Sequence, residues 1–251
     1  MELTFRNINI FAQVERETEL YRHYQLDEVK DRYDSNFIEF LSTPTLSELQ
    51  EAMNYLQHKH GQSGRQFLKA VFPQDEDIPL ELHQYLLTNQ FEIGCLEMYA
   101  IEPEFFTREL SRPDVTIEFV SSKTMEGYLA IHYQDSQQWG ESYAQAKQAM
   151  LKRDFEQKRK AQIVALLNGK VIGSLDVIES ANTAEIDNLF VLPAYQNQGV
   201  GTKLQQFVMK QYVEKTIILV ADGDDTPREM YTKQGYTYIG KQLNALKTSL
   251  D

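Results

Sequence analysis

The stretch LFVLPAYQNQGVGTKL, residues 189–204, decides the fold of the larger part of this chain. An apolar run ends at Leu192-Pro193, a polar loop carries Gly199 and Gly201, and a long helix comes next with Leu204, Phe207, Val208 and Tyr212 along one face. A strand that passes through such a loop straight into a helix aims successive main-chain N–H groups and the positive end of the helix dipole at one spot. The arrangement suits an anion. Glycines at 199 and 201 have no Cβ, so a diphosphate can approach the main chain closely, and the first helical turn offers N–H groups without intrahelical acceptors. The alternative is an ordinary two-glycine loop that only caps a helix. A dinucleotide-binding Gly-x-Gly-x-x-Gly loop is excluded, because Leu204 stands where its third glycine belongs; a P-loop is excluded because no Gly-Lys-Ser or Gly-Lys-Thr is present.

Working outward, residues 161–180 and 184–193 read as three strands, the first two joined at Asn168-Gly169, a dipeptide that favours the positive φ of a tight hairpin. Residues 115–122 form a further strand, and 123–160 are mostly helical with an interruption at Trp139-Gly140. Downstream come a buried strand at 216–222, a short helix at 225–235 ended by Gly235, and a last strand at 236–243. The predicted order is β-α-α-β-β-β-α-β-α-β.

The N-terminal part has a pattern of its own. Leu46, Leu49, Met53 and Leu56 recur at helical spacing behind the capping candidate Thr45. This helix lies between strand-like runs at 34–42 and 67–72, followed by a helix at 78–90 and a strand at 91–101. Its β-α-β-α-β order is that of a sheet with helices packed on it. Residues 1–110 hold 9 Lys and Arg against 20 Asp and Glu, whereas 111–251 hold 16 against 17. The composition therefore changes where Pro103 and Pro113 frame a charged connection, and a domain boundary is expected near residue 110.

Composition narrows the function. The chain has 251 residues, 42% of them hydrophobic, with a net charge of −12, which is enough apolar material for one or two globular domains. A pI near 4.9 disfavours nucleic acid as main partner, since neutralising phosphates needs a basic face. No stretch approaches the ~20 apolar residues that span a bilayer, and the opening residues carry no basic segment followed by an apolar block, so a cytoplasmic location is expected. The single Cys95 lies in an apolar run and reads as a core thiol. The five histidines, His23, His58, His60, His83 and His132, show no zinc-ligand spacing, and no metal is expected.

LFVLPAYQNQGVGTKL resembles the acetyl-CoA-binding motif of the Gcn5-related N-acetyltransferase (GNAT) superfamily, a hydrophobic strand and then (Gln/Arg)-x-x-Gly-x-(Gly/Ala), with Gln196, Gly199 and Gly201 in place. MYTKQGY, residues 230–236, resembles that family's second signature, and the predicted element order is the family's order. The resemblance covers most of residues 111–251. It implies an α/β (α+β) fold with a mixed central sheet flanked by helices, and transfer of an acetyl group from acetyl-CoA to a primary amine of a small molecule, peptide or protein by direct attack in a ternary complex.

The resemblance also implies roles for residues. The main chain of Leu189, Phe190 and Val191 would pair with the pantetheine arm, and Gln196, Asn197, Gln198, Gly199, Val200, Gly201 and Thr202 would hold the pyrophosphate through neutral amides, which lets a net-acidic chain bind a polyanion. Tyr231 stands where the family often places a tyrosine near the cofactor sulfur, as candidate general acid. Glu185, eleven residues before Gln196, is the candidate base, and Asp187 on the same strand face could share a water with it. Tyr231 and the two carboxylates each have a bland alternative, in packing or in solvated strand charge. Tyr133, Trp139 and Tyr143, with His132 and Asp135 nearby, would form an aromatic wall for the acceptor or simply pack a helix. Two positions depart from the pattern: Asp224 replaces a common asparagine within the run DGDD, and Gln196 replaces the commoner arginine.

The order of elements in residues 1–110 matches the second half of a GNAT domain, but the expected phosphate loop is STPTLSEL, without a glycine. This part is expected to be a degenerate, non-catalytic GNAT-like domain, or else an unrelated accessory α/β domain. Two other functions stay open: a non-catalytic acyl-CoA-binding module, and an aminoacyl-tRNA-dependent transferase. The latter needs a basic channel, and the one concentrated basic run, LKRDFEQKRK at 151–160, reads as a solvated helix face. The sequence names neither the acceptor nor the oligomeric state; a homodimer is compatible with it.

Overall fold

A computed structural model of the chain describes residues 2–107, 111–223 and 227–250. The boundary expected near residue 110 and the departure at Asp224 both fall outside the described residues. In chain order the elements are β1 (Gln13–Glu17), β2 (Tyr21–Gln25), β3 (Phe37–Phe40), α1 (Leu46–Ser63), β4 (Leu68–Val71), α2 (Leu80–Thr88) and β5 (Glu92–Ile101). They continue with β6 (Val115–Phe119), α3 (Met125–Ser136), α4 (Glu141–Glu156), β7 (Ala161–Leu167), β8 (Lys170–Glu179), β9 (Thr183–Val191), α5 (Val200–Gln211), β10 (Thr216–Asp222), α6 (Pro227–Gln234) and β11 (Thr237–Lys247).

The chain divides into two compact units, one made of Met1–Met98, Ala221–Pro227 and Ile239–Asp251, the other of Tyr99–Val220 and Arg228–Tyr238. In the first, β1, β2 and β3 pair antiparallel in sequence, β3 runs parallel to β4 through Ile38↔Ala70 and Glu39↔Val71, and β11 adds antiparallel to β4 from Asn244↔Val71 to Lys247↔Leu68. Helix α1 starts at a capping box between Thr45 and Glu48 and ends at Gly64, whose φ of +77 a glycine tolerates. Its apolar stripe of Leu49, Met53 and Leu56 packs with Ile38, Phe40, Ala70, Phe72 and Leu86 into a closed core.

In the second unit, β6 to β9 form an antiparallel meander and β10 lies parallel to β9. The β7–β8 turn carries Asn168 and Gly169 at φ +51 and +77, as the Asn-Gly dipeptide leads one to expect. Apolar strands buried on both sides, with Ile163, Val164, Leu175, Val177, Ala184 and Ile217 all inaccessible, need a helix on each face. Helices α3 and α5 both pack on β8. The α3 contact is close: a Cβ on Gly127 would lie 2.7 Å from Val171 Cγ2, so this glycine sets how near the helix comes to the strand. Among the described residues no helix is long and apolar enough to cross a membrane.

Candidate active site

Every residue singled out above for chemistry, Asp224 apart, lies in the second unit. β9 is the organising strand. Its pairing with β8 runs to Val191↔Gly173, whereas its parallel pairing with β10 ends at Ile186↔Leu219. From Asp187 to Val191 the edge of β9 that faces β10 therefore has no strand partner among the described residues. Leu189, Phe190 and Val191 sit in this unpaired stretch, half-buried, so their main-chain groups can bind an extended ligand as another strand would.

Beyond β9 the chain makes a short 3-10 turn at Pro193–Tyr195 and enters α5 through Gly199, which has φ +81 and supplies no capping side chain. The first main-chain bond of the helix is Lys203 N donating to Gly199 O at 3.0 Å, and no described residue accepts from the amides of Val200, Gly201 or Thr202. The loop's own side chains turn back on its base: Gln196 Nε2 donates to Val191 O at 3.0 Å and Gln198 Nε2 to Ala194 O at 2.8 Å. Asn197 stands at φ +58. A Cβ on Gly201 would meet only Val191 Cγ2, at 3.9 Å, so the protein leaves the space in front of this turn open. Two cations flank it. Arg112 Nη1 donates to Gln198 O at 2.6 Å, and Lys203 Nζ donates to the carbonyls of Arg112 and Val115. Neutral amides, a helix dipole and flanking cations are together an electropositive surface of the kind that suits an anion.

Tyr231 lies on α6 with its ring 8% exposed, packed against Tyr99 (centroids 5.0 Å apart) and Tyr236 (5.4 Å). Burial raises its pKa, so the phenol keeps its proton across the neutral range. α6 is anchored by Gly235, at φ +99, where a Cβ would fall 2.3 Å from Phe105 O; no other residue fits. Tyr236 is tied down from the opposite side, donating from Oη to Gln205 Oε1 at 2.8 Å.

Glu185 is 6% exposed and lies on the paired part of β9, opposite Ile178 and Ile218. Asp187, two residues on, is at the start of the unpaired stretch. Its Oδ2 accepts from Lys160 Nζ at 2.7 Å and its Oδ1 from the Asn188 amide at 2.9 Å. Lys160 ends the run read as a solvated helix face, yet it lies past α4 and is only 6% exposed. Opposite Asp187 on β8 is Asp176, fully buried, which accepts from Tyr128 Oη at 2.7 Å and from Asn188 Nδ2 at 2.9 Å. Burial pushes the Asp176 carboxyl up to about 6, against the pull of the Lys160 ammonium 3.8 Å away.

The aromatic residues expected near an acceptor lie on the α3–α4 segment. Tyr133 on α3 donates from Oη to Glu141 Oε1 at 2.5 Å, Trp139 is 62% exposed in the turn between the helices, and Tyr143 is half-buried on α4. His132 does not join them at the surface. It is 2% exposed, packs on Tyr128, and exchanges a hydrogen bond between Nε2 and Ser174 Oγ at 2.9 Å. Burial lowers its pKa to about 3, so it is neutral.

The site residues that sequence reasoning missed are Arg112, Lys160, Asp176, Asn188 and Tyr128. Asp176 was visible as a lone charge inside the apolar run VIGSLDVIE, a pattern that signals a buried, partnered carboxylate. Arg112 gave no signal, being 86 residues from its partner Gln198.

The model of the Acetyltransferase (GNAT) family matches residues 128–236, and that of a domain of unknown function, DUF5613, matches residues 3–99. No curated protein matches the chain. Among solved structures it is similar to a functionally unknown conserved protein from Staphylococcus epidermidis, with 30% identity over 99% of both chains and a TM-score of 0.90. A GCN5-related N-acetyltransferase from Kribbella flavida shares the fold at 14% identity, covering 92% of this chain and 89% of that one, with a TM-score of 0.62. A tandem GNAT protein from the clavulanic acid biosynthesis pathway does so at 10% identity, 90% and 78% coverage, and a TM-score of 0.56. The chain thus has the GNAT fold with an additional N-terminal domain, and its residues 128–236 match the GNAT acetyltransferase family.

Proposed function

We propose that the protein is an acetyl-CoA-dependent N-acetyltransferase acting on a primary amine by direct attack in a ternary complex. A GNAT-type acyltransferase is the coarser statement; the thioester donor and the amine rest on the site. One observation carries the reading: β9 parts from β10 after Ile186 and runs into a helix whose first three amides have no acceptor among the described residues. An open strand edge leading to an open phosphate cradle suits a pantetheine arm ending in a pyrophosphate. In this reading Leu189, Phe190 and Val191 align the arm, and residues 196–202, with Arg112 beside them, hold the phosphates.

Acetyl-CoA supplies an acyl group on a thiolate leaving group. The protein then needs to take a proton from the amine, and to give one to sulfur as the carbon–sulfur bond breaks. Tyr231 holds the second proton, since burial keeps its phenol neutral. Glu185 takes the first, directly or through water. Asp187, with both oxygens engaged, serves better as a fixed charge beside Glu185 than as a second acceptor. Tyr133, Trp139 and Tyr143 border the acceptor's approach. The N-terminal domain, residues 1–110 by sequence, is a degenerate GNAT-like copy without catalytic function.

The test is thiol release from acetyl-CoA against a panel of amines, together with calorimetry of coenzyme A binding. Turnover with at least one amine, and a Tyr231→Phe variant about a hundredfold slower with unchanged affinity for coenzyme A, are expected. Binding without turnover on any amine would leave an acyl-CoA-binding module; no binding at all removes the reading.

A further inference from the structure

The course of β9 turns on one residue. Asn188 stands at φ +51, in the left-handed region, and here the pairing with β8 skips: Asp176 faces Asp187, but Ser174 faces Phe190. The two-for-one mismatch is a β-bulge, which bends its strand and re-aims the residues beyond it. A non-glycine residue in this region is held there by its surroundings.

Those surroundings are buried and polar. Asp176, 0% exposed, receives a hydrogen bond on each oxygen: Tyr128 Oη at 2.7 Å on Oδ1, and Asn188 Nδ2 at 2.9 Å on Oδ2. Asn188 is gripped a second time through its amide, which donates to Asp187 Oδ1 at 2.9 Å. Lys160 completes the group, 2.7 Å from Asp187 Oδ2 and 3.8 Å from Asp176 Oδ2. On the far side of the bulge, His132 and Ser174 pin α3 to β8 again at 2.9 Å. Apolar side chains would fill the centre of this strand with less desolvation than a carboxylate does, so stability alone does not call for Asp176. What the carboxylate adds is a directed acceptor for one side chain.

We propose that Asp176 and Asn188 form a positioning clamp: the buried carboxylate, oriented by Tyr128, fixes the Asn188 side chain and so the bulge that carries the main chain of residues 189–191 away from β10 and presents it to the pantetheine arm. This rests on the acetyl-CoA reading above. Neither residue touches the reacting atoms; both act through the backbone they hold.

The experiment is calorimetry of acetyl-CoA binding to the full chain, with thermal unfolding of each variant alongside. Asp176→Leu removes the acceptor, Asn188→Asp faces one carboxylate with another, and Asn188→Gly keeps the positive φ but removes the bond. Each is expected to weaken acetyl-CoA binding about tenfold or more while unfolding remains cooperative. The double variant Asp176→Asn/Asn188→Asp exchanges donor and acceptor, and is expected to restore affinity to within about threefold of wild type. Should Asp176→Leu not fold, Asn188→Gly decides alone. Wild-type affinity in Asn188→Gly, or a double variant no better than Asn188→Asp, overturns the clamp and leaves the acetyl-CoA reading intact. Wild-type protein that binds no acetyl-CoA overturns both.

Discussion

Two strand–loop–helix segments in this chain share one topology and differ at a single point. In the first unit β3 leads to α1 and on to the parallel strand β4; in the second, β9 leads to α5 and on to the parallel strand β10. At α1 the helix closes its own N-terminus. Thr45 Oγ1 accepts from Glu48 N, Glu48 Oε2 accepts from Thr45 N at 2.7 Å, and Thr43 Oγ1 donates to Glu76 Oε2 nearby. At α5 the corresponding place holds Gly199, with no side chain and no acid in the first turn. One helix end gives its Glu48 amide to its own capping side chain and has the carboxylates of Glu48 and Glu76 beside it. The other leaves its amides open, beside Arg112 and Lys203. Local stability and anion binding compete for the same few N–H groups.

Making α5 resemble α1 should have the largest effect. Gly201→Asp places a carboxylate in the first turn, where the helix dipole welcomes it and where a Cβ meets nothing closer than 3.9 Å. Coenzyme A affinity is expected to fall at least a hundredfold by calorimetry, with an unfolding midpoint equal to or above wild type. Retained affinity would show that the amides of this turn hold nothing.

Acid acts on both units through buried histidines, His132 in the second and His23 and His60 in the first. His23 and His60 in the first unit are both fully buried, and burial lowers both pKa values to about 4. His60 donates from Nδ1 to Phe67 O at 2.6 Å, which fixes its tautomer, while burial outweighs that bond and keeps the ring neutral. An unfolded histidine titrates near 6.5, so between pH 6.5 and 4 the unfolded chain binds protons that the folded chain does not. Stability is therefore full above about 6.5 and drops as pH falls, by up to about 1.4 kcal/mol per pH unit for each histidine. Urea unfolding from pH 7 to 4 should show this slope, and His60→Gln should flatten it.

A smaller change sharpens the contrast from the other end. Thr45→Ala removes the cap of α1 and is expected to cost about 1 kcal/mol in urea unfolding, with coenzyme A affinity untouched. A loss of affinity would mean that α1 takes part in binding.

Legibility in the sequence depends on the range of the interactions involved. The β9–loop–α5 segment, the Asn168-Gly169 hairpin and the Thr45 cap are set by neighbours within a few residues, and they stand where the pattern puts them. β1 and β2 escape such a reading: QVERE is exposed at all five positions, and the two residues that YRHYQ buries are Tyr21 and the polar His23, an alternation too short and too polar to stand out. The return of residues 244–247 to pair with β4 joins segments some 170 residues apart, which periodicity cannot show. The site divides the same way. Gly199, Gly201 and Tyr231 lie within motifs, whereas Lys160, Asp176 and Asn188 meet only because three chain segments fold together.

Arg112 gives the finest test of the comparison. The guanidinium is engaged on both edges, with Asp114 accepting from Nε at 2.9 Å and from Nη2 at 2.8 Å while Nη1 reaches Gln198 O. It fixes the carbonyl just before Gly199 and puts a positive charge beside the open amides, where the matching helix end of the first unit has Glu48 in its first turn and Glu76, from beyond β4, on Thr43. Asp114 offsets part of that charge, and the group faces solvent, so the electrostatic share is modest and screened by salt. Arg112→Ala should therefore weaken coenzyme A binding several-fold at low ionic strength, and the loss should shrink in about 0.5 M salt, where the Debye length falls to a few ångströms. A loss that salt leaves unchanged would assign Arg112 to holding the loop's shape through Gln198, and the charge contrast between the two helix ends would then rest on Lys203 and the carboxylates alone.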